Sequence, residues 1–197
     1  MIHALYGLVD DTVAHSHHHL VGISDPHPGE EVAGTGEQPL SRLGQTQGEL
    51  NATGISQAEA LRDKLSDIHI DAFVSSDLHR SVQTCEIIAE PHHKPVVQTP
   101  LLRERDWGSF TGKYIPDLQA VKEWPDDIEP LPDLQARAKK FLDWIRAQYP
   151  DQTVLAVGHG IVNKAIQSVY TGKPMNQIQR MENAEDVLRY ATPLRRM

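Results

Sequence analysis

From residue 50 onward, apolar runs of strand length alternate with longer stretches at helical spacing. Asn51 and Thr53 are capping residues for a helix through Ile55-Ser56-Gln57-Ala58-Glu59-Ala60-Leu61 to Leu65. Asp71-Ala72-Phe73-Val74-Ser75-Ser76 reads as a short buried strand, and Asp77 opens a helix from Leu78 to about Ala89. Pro95-Val96-Val97-Gln98-Thr99 is a second short strand, and Gly108 and Gly112 mark a loop. Leu134, Ala138, Phe141, Leu142 and Ile145 recur at helical spacing, which predicts an amphipathic helix over about 132–148. Thr153-Val154-Leu155-Ala156-Val157 is almost purely apolar, as a strand covered on both faces must be. Gly158-His159-Gly160 follows it directly, then a helix from Ile161 to Tyr170.

Strands alternating with helices predict an α/β domain of three layers, α/β/α, with a mostly parallel central sheet. Ligands of such sheets bind just beyond the carboxyl ends of the strands. Ser76 and His159 both stand at such ends. Residues 1–49 read differently. They hold seven of the thirteen glycines and no long amphipathic period, and Leu5-Tyr6-Gly7-Leu8-Val9 and Leu20-Val21-Gly22-Ile23 are weak strand candidates. With no repeat and no linker, residues 1–197 are expected to form one domain. Its head, 1–43, is atypical, with partial disorder or a non-native sequence as competing explanations.

Composition narrows the function. The formal net charge of −8 opposes a general nucleic-acid or anionic-membrane binder, though a local cationic pocket can still take an anionic small molecule. The one cysteine, Cys85, excludes an internal disulfide and reads as a small buried hydrophobe. No apolar run reaches membrane-spanning length and the N-terminus lacks a signal-peptide pattern, so a cytoplasmic location is expected.

Three segments carry candidate chemistry. In Gly158-His159-Gly160 the glycines let a ligand approach the backbone, and the following helix start offers N–H groups to an anion. Arg80, one turn into a helix that begins at a strand's carboxyl end, can hold two phosphate oxygens bidentately; the plain alternative is a surface arginine paired with Asp77. Glu104 lies in Leu101-Leu102-Arg103-Glu104-Arg105-Asp106-Trp107-Gly108, where a carboxyl beside an aromatic wall can act as a general acid, though most such charge runs are solvated.

Taken in order, these segments resemble the histidine phosphatase superfamily, the phosphoglycerate mutase-like fold, in its small phosphatase branch. The resemblance covers residues 44 to about 183. Gly44-Gln45-Thr46-Gln47-Gly48-Glu49-Leu50-Asn51-Ala52-Thr53-Gly54 with Gln57-Ala58 is similar to the segment leading into the family's first helix. Ser75-Ser76-Asp77-Leu78-His79-Arg80 with Gln83-Thr84 resembles its phosphate-arginine motif, Leu102-Arg103-Glu104 with Trp107-Gly108 and Gly112 its acid loop, and Val157-Gly158-His159-Gly160 its second-histidine motif. The resemblance implies a phosphomonoesterase that works through a phosphohistidine and needs no metal or other cofactor. Arg80 and His159 would hold the phosphoryl oxygens, Glu104 would move the proton, and Gln45 would lie at the pocket rim. The implied partner is a small phosphorylated substrate or inorganic phosphate.

The family's nucleophile belongs to an Arg-His-Gly motif after the first strand, and that motif is absent. In one placement Leu20-Val21-Gly22-Ile23-Ser24 is the first strand and His27 the nucleophile, preceded by Pro26 and followed by Pro28, which restricts the His27 backbone. In a second, Leu5–Val9 is the first strand and Asp10-Asp11 would face the phosphate, the wrong charge. In a third, Arg42-Leu43-Gly44 stands in for the motif but leaves too little chain before the helix. The competing expectation is therefore an impaired or inactive phosphate-binding protein. His15, His17, His18 and His19 also allow a weak metal site, with a solvated or tag-like tract as the favoured reading. His92-His93 is expected to be an exposed turn.

Overall fold

The computed structural model describes residues 2–4, 19–26, 44–113, 123–178 and 189–191. His27, Leu5–Val9, Asp10-Asp11, Arg42-Leu43 and His15, His17 and His18 lie outside the described residues. The strands are β1 (Ile2–Ala4), β2 (His19–Pro26), β3 (Ala72–Ser76), β4 (Val96–Thr99), β5 (Thr153–Gly158) and β6 (Arg189–Ala191). The helices of four or more residues are α1 (Ala52–Leu65), α2 (His79–Ala89), α3 (Leu131–Gln148) and α4 (Gly160–Thr171).

The sheet order is β1-β2-β5-β3-β4, with β6 also on β2. Strands β2, β5, β3 and β4 are mutually parallel, while β1 and β6 pair antiparallel with opposite ends of β2. The β-strand over Leu20–Ile23 is thus a central strand, eight residues long, and not a marginal one.

Strand alternation builds a core on each face. Phe73, Leu155 and Val157 pack with Leu61, Leu65, Cys85 and Ile88 from α1 and α2. Val74, Val154 and Ala156 pack with Leu134, Phe141, Leu142, Val162 and Ala165 from α3 and α4. The three layers expected from the sequence are therefore present. Phe73 and Phe141 are fully buried, one on each face, each contributing roughly 1.5–3 kcal/mol by leaving water. Cys85 is buried among these side chains, and burial pushes its thiol pKa far above the ordinary range.

Local chemistry sets the helix ends. Asn51 caps α1, its Oδ1 accepting from the Gly54 N–H at 2.8 Å. Asn51→Ala is expected to cost about 1 kcal/mol in urea unfolding; an unchanged midpoint would show that the cap contributes nothing. Helix α2 begins at His79, one residue later than the sequence suggests. Its cap position, Leu78, has no side-chain acceptor, and Ser76 Oγ takes the Leu78 N–H at 3.3 Å instead of Asp77. The expected exposed pair His92-His93 is half correct. His93 is exposed at a φ of 54°, while the His92 ring stacks at a tilt 5.0 Å from Phe73, and burial lowers its pKa.

Candidate active site

Strands β3 and β5 run side by side and end together, with Ser75 opposite Val157. Their exits bring Ser76, α2 and His159 to one place. Arg80 and His159 are both almost completely buried there, 2% and 1% exposed. An Arg80 Nη2–H donates to His159 Nδ1 at 3.1 Å. A guanidinium can only donate, so Nδ1 is the accepting nitrogen and Nε2 carries the proton. That Nε2 lies 2.9 Å from Ser76 Oγ and 3.3 Å from Ser81 Oγ. Two hydroxyls and one guanidinium thus set the ring's tautomer and plane.

The same arginine reaches the segment before α1. Its Nη1–H donates to the Thr46 carbonyl at 2.7 Å, and Nη2 lies 3.5 Å from the Gly44 carbonyl. Gln45, between them, turns its side chain the other way, and its Nε2–H donates to the Glu104 carbonyl at 3.0 Å. Residues 44–46 therefore bridge the Arg80–His159 pair to the acid loop. Gly44 makes this bridge possible with a φ of 90° and a close approach to Thr111 and Trp107. Helix α2 holds the segment from behind, because Gln83 Oε1 accepts the Leu50 N–H at 2.9 Å and the His79 N–H donates to Gln47 at 3.2 Å.

Glu104 is buried, and its Oε1 accepts the neighbouring Arg105 N–H at 2.7 Å. The loop sits against the end of β5: a Cβ built on Gly158 would lie 3.5 Å from Leu102. The structure thus brings together Arg80, His159, Gln45 and the Glu104 loop. His27 lies outside the described residues.

Asp77 is not the partner of Arg80. Arg103 takes it with two bonds, Nε–H to Oδ1 at 2.7 Å and Nη2–H to Oδ2 at 2.6 Å. That bidentate pairing lowers the Asp77 pKa despite an opposing effect of burial. The sign follows directly: the folded-state pKa lies below the unfolded one, so the stabilisation is present above about pH 4 and is lost as pH falls through the folded value. Asp77→Asn is expected to flatten the acid limb of a stability–pH profile; an unaltered limb would show that the pair is silent.

Sequence reasoning missed Arg137 and Glu129. Arg137, on α3, donates to the Leu101, Arg103 and Glu104 carbonyls at 3.0, 2.7 and 3.4 Å. It also forks onto Glu129 at 2.9 and 2.8 Å. The only signal in the sequence was a cation on the polar side of an amphipathic helix. Beside these residues a groove of about 500 Å³ opens next to Gln45, walled by Pro100, Arg103, Asp106, Asp127, Glu129 and Arg137 among others. Among the described residues no group of three or more His, Cys, Asp or Glu is placed to hold a metal ion. No described helix is long and apolar enough to cross a membrane.

Residues 34–189 match the sequence profile of the histidine phosphatase superfamily (branch 1). The chain belongs to that superfamily. It is 35% identical over 146 residues to the uncharacterized phosphatase PhoE of Bacillus subtilis (strain 168), covering 72% of this chain and 75% of that protein. It is 28% identical over 158 residues to phosphoserine phosphatase 1 of Hydrogenobacter thermophilus, at 72% and 75% coverage. Among solved structures, Bacillus stearothermophilus YhfR superposes with a TM-score of 0.74 at 20% identity, over 90% of this chain and 96% of that one. The mycobacterial glucosyl-3-phosphoglycerate phosphatase does so at 0.69 and 22%, over 89% and 97%. These superpositions establish the phosphoglycerate mutase-like fold, and the relatives support phosphatase function at the level of the superfamily. The superfamily match begins at residue 34, beyond His27. Within the fold, β2 takes the first parallel place beside β5, with Ser24 abreast of Gly158. The next residue of β2 is Asp25.

Proposed function

We propose that this protein hydrolyses small phosphate esters through a phosphohistidine intermediate. The observation that carries the reading is the buried Arg80–His159 pair, 3.1 Å apart at the carboxyl ends of two parallel strands. The Arg80 guanidinium brings the positive charge that a phosphoryl transition state needs, and His159 stands beside it. In this reading a His27 ring nitrogen attacks phosphorus, and the P–O bond to the alcohol breaks. Glu104 gives its proton to the departing oxygen. Water then attacks the phosphohistidine while Glu104 takes a proton back, releasing inorganic phosphate and the free histidine. Gln45 lines the rim where the alcohol portion sits. A cytoplasmic location belongs to the same reading.

The β2 register favours a second reading, a phosphate-binding protein without turnover. In β2 the residue after Ser24, which pairs with Gly158, is Asp25, an anionic residue type and not a histidine. One experiment separates the two. Purified protein is given a radiolabelled phosphomonoester and quenched in base, in which phosphohistidine survives. Label that is trapped by the wild type and lost in His27→Ala sustains the hydrolase reading. Turnover that survives His27→Ala removes His27 as nucleophile. Vanadate binding with neither label nor turnover establishes the second reading.

A further inference from the structure

We propose that Arg137, locked by Glu129, is the positioning residue that sets the Glu104 carboxyl; this rests on the reading of Glu104 as the proton-transfer group. Glu104 lies in an irregular loop, where its Oε1 accepts the Arg105 N–H but no helix or sheet ladder holds the backbone around it. The restraint comes from helix α3. Arg137 and Glu129 are 18% and 15% exposed and bond through both oxygens of the carboxylate. The guanidinium is thereby oriented, and its remaining donors meet the Leu101, Arg103 and Glu104 carbonyls. Three carbonyls within four residues are held by one planar group, which fixes the loop's path on either side of the carboxyl-bearing Cα.

Glu129 closes the clamp from its other end. Its carbonyl accepts Arg105 Nε–H at 2.7 Å, and its Oε2 accepts the Asp106 N–H at 3.1 Å. Its own N–H donates to the Asp106 carbonyl at 2.8 Å. Residues 101–106 thus have Arg137 beneath them and Glu129 beside them. Lysine could retain the charge of Arg137 but not its fork, because an ammonium is a point donor.

The Arg105 amide reports the outcome, because it donates to Glu104 Oε1 at 2.7 Å and so reads where that carboxyl sits. Amide hydrogen exchange is compared in wild type, Arg137→Met, Arg137→Lys, Glu129→Gln and Leu134→Ala, a core control on the same helix. Exchange at Arg105 is expected to rise about tenfold or more in the three clamp variants while amides of α1 and α2 keep wild-type rates. An unchanged Arg105 amide, or a rise shared with α1 and α2 as in Leu134→Ala, overturns the proposal. Arg137→Lys and Glu129→Gln keep the test alive should Arg137→Met fail to fold.

Turnover supplies a second readout, with esters that differ in their need for a general acid. An alkyl ester such as glycerol phosphate is expected to slow by about thirtyfold in Arg137→Lys, and p-nitrophenyl phosphate by less than about threefold, because nitrophenolate leaves without a proton. Equal slowing of both esters overturns the proposal. Should the wild type turn over neither ester, the hydrolase reading fails by itself, and the exchange measurement alone decides the role of Arg137.

Discussion

Replacing Arg80 by methionine is expected to weaken orthovanadate binding by about a hundredfold or more. Two charge-assisted bonds to an anion are together worth roughly 3 kcal/mol or more, which is at least that factor in affinity. Methionine retains much of the apolar stem that packs at 2% exposure, so the loss is mainly one of charge and donors. A second effect accompanies it. The Thr46 carbonyl, 2.7 Å from Nη1, loses that donor, at a cost of about 1–3 kcal/mol in stability. The two effects are measured separately, by vanadate titration well below the melting temperature and by thermal unfolding without ligand. Arg80→Lys is expected to fall between, since it restores one charge without the fork. Vanadate affinity within threefold of wild type in Arg80→Met would remove Arg80 from the anion site.

Gly108→Ala is expected to destabilise the protein by about 3 kcal/mol, lowering the melting temperature by roughly 6–12 °C for a chain of this size. Two causes add. Gly108 has a φ of 52°, a left-handed conformation that costs other residues about 1–2 kcal/mol. A Cβ there would also fall 2.3 Å from Asp127 Oδ1 and 2.6 Å from the Asp127 carbonyl oxygen. Asp127 cannot simply turn aside, because its carboxylate holds the Ser109 N–H at 2.8 Å and its hydroxyl at 3.3 Å. Gly112→Ala isolates the first cause. Its φ is 80°, and a Cβ there would have no described residue within 4 Å, so the comparison keeps the backbone strain and removes the Asp127 collision. Equal melting temperatures for the two variants would show that the Asp127 collision relaxes without cost.

Much of this fold could be read before any coordinates. Helix α3 was visible because Leu134, Ala138, Phe141, Leu142 and Ile145 form one stripe, and the same residues are buried against the sheet. Strand β5 was visible because both of its faces are covered, which leaves no polar position from Val154 to Val157. Arg80 and His159 were recognisable from their place at strand ends, and they do meet. The plain alternative, Arg80 paired with Asp77, is not what the structure shows. Asp77 and Arg80 are three apart and look like a pair, but the start of α2 turns Arg80 inward and leaves Asp77 to Arg103, from another loop. Strand β2 reads as weak locally because a glycine interrupts the short apolar run Leu20-Val21-Gly22-Ile23. Its pairing with β5 along six residues, from His19 to Ser24, is a non-local fact.

The sequence by itself determined the layer order, the helix faces and the residue types that gather at the carboxyl ends of the strands. Those follow from periodicity, which is a local property with a strong energetic cause: burying each stripe removes apolar area from water. Only the tertiary structure decided how these groups are aimed. The 44–46 segment joins Arg80 to the Glu104 loop, and Arg137 grips that loop from 33 residues away, through backbone carbonyls. Carbonyl acceptors are common to every residue and leave no mark in a sequence. The tautomer of His159 likewise depends on an arginine 79 positions distant. Residue type supplied the candidates; distance and donor geometry assigned their partners.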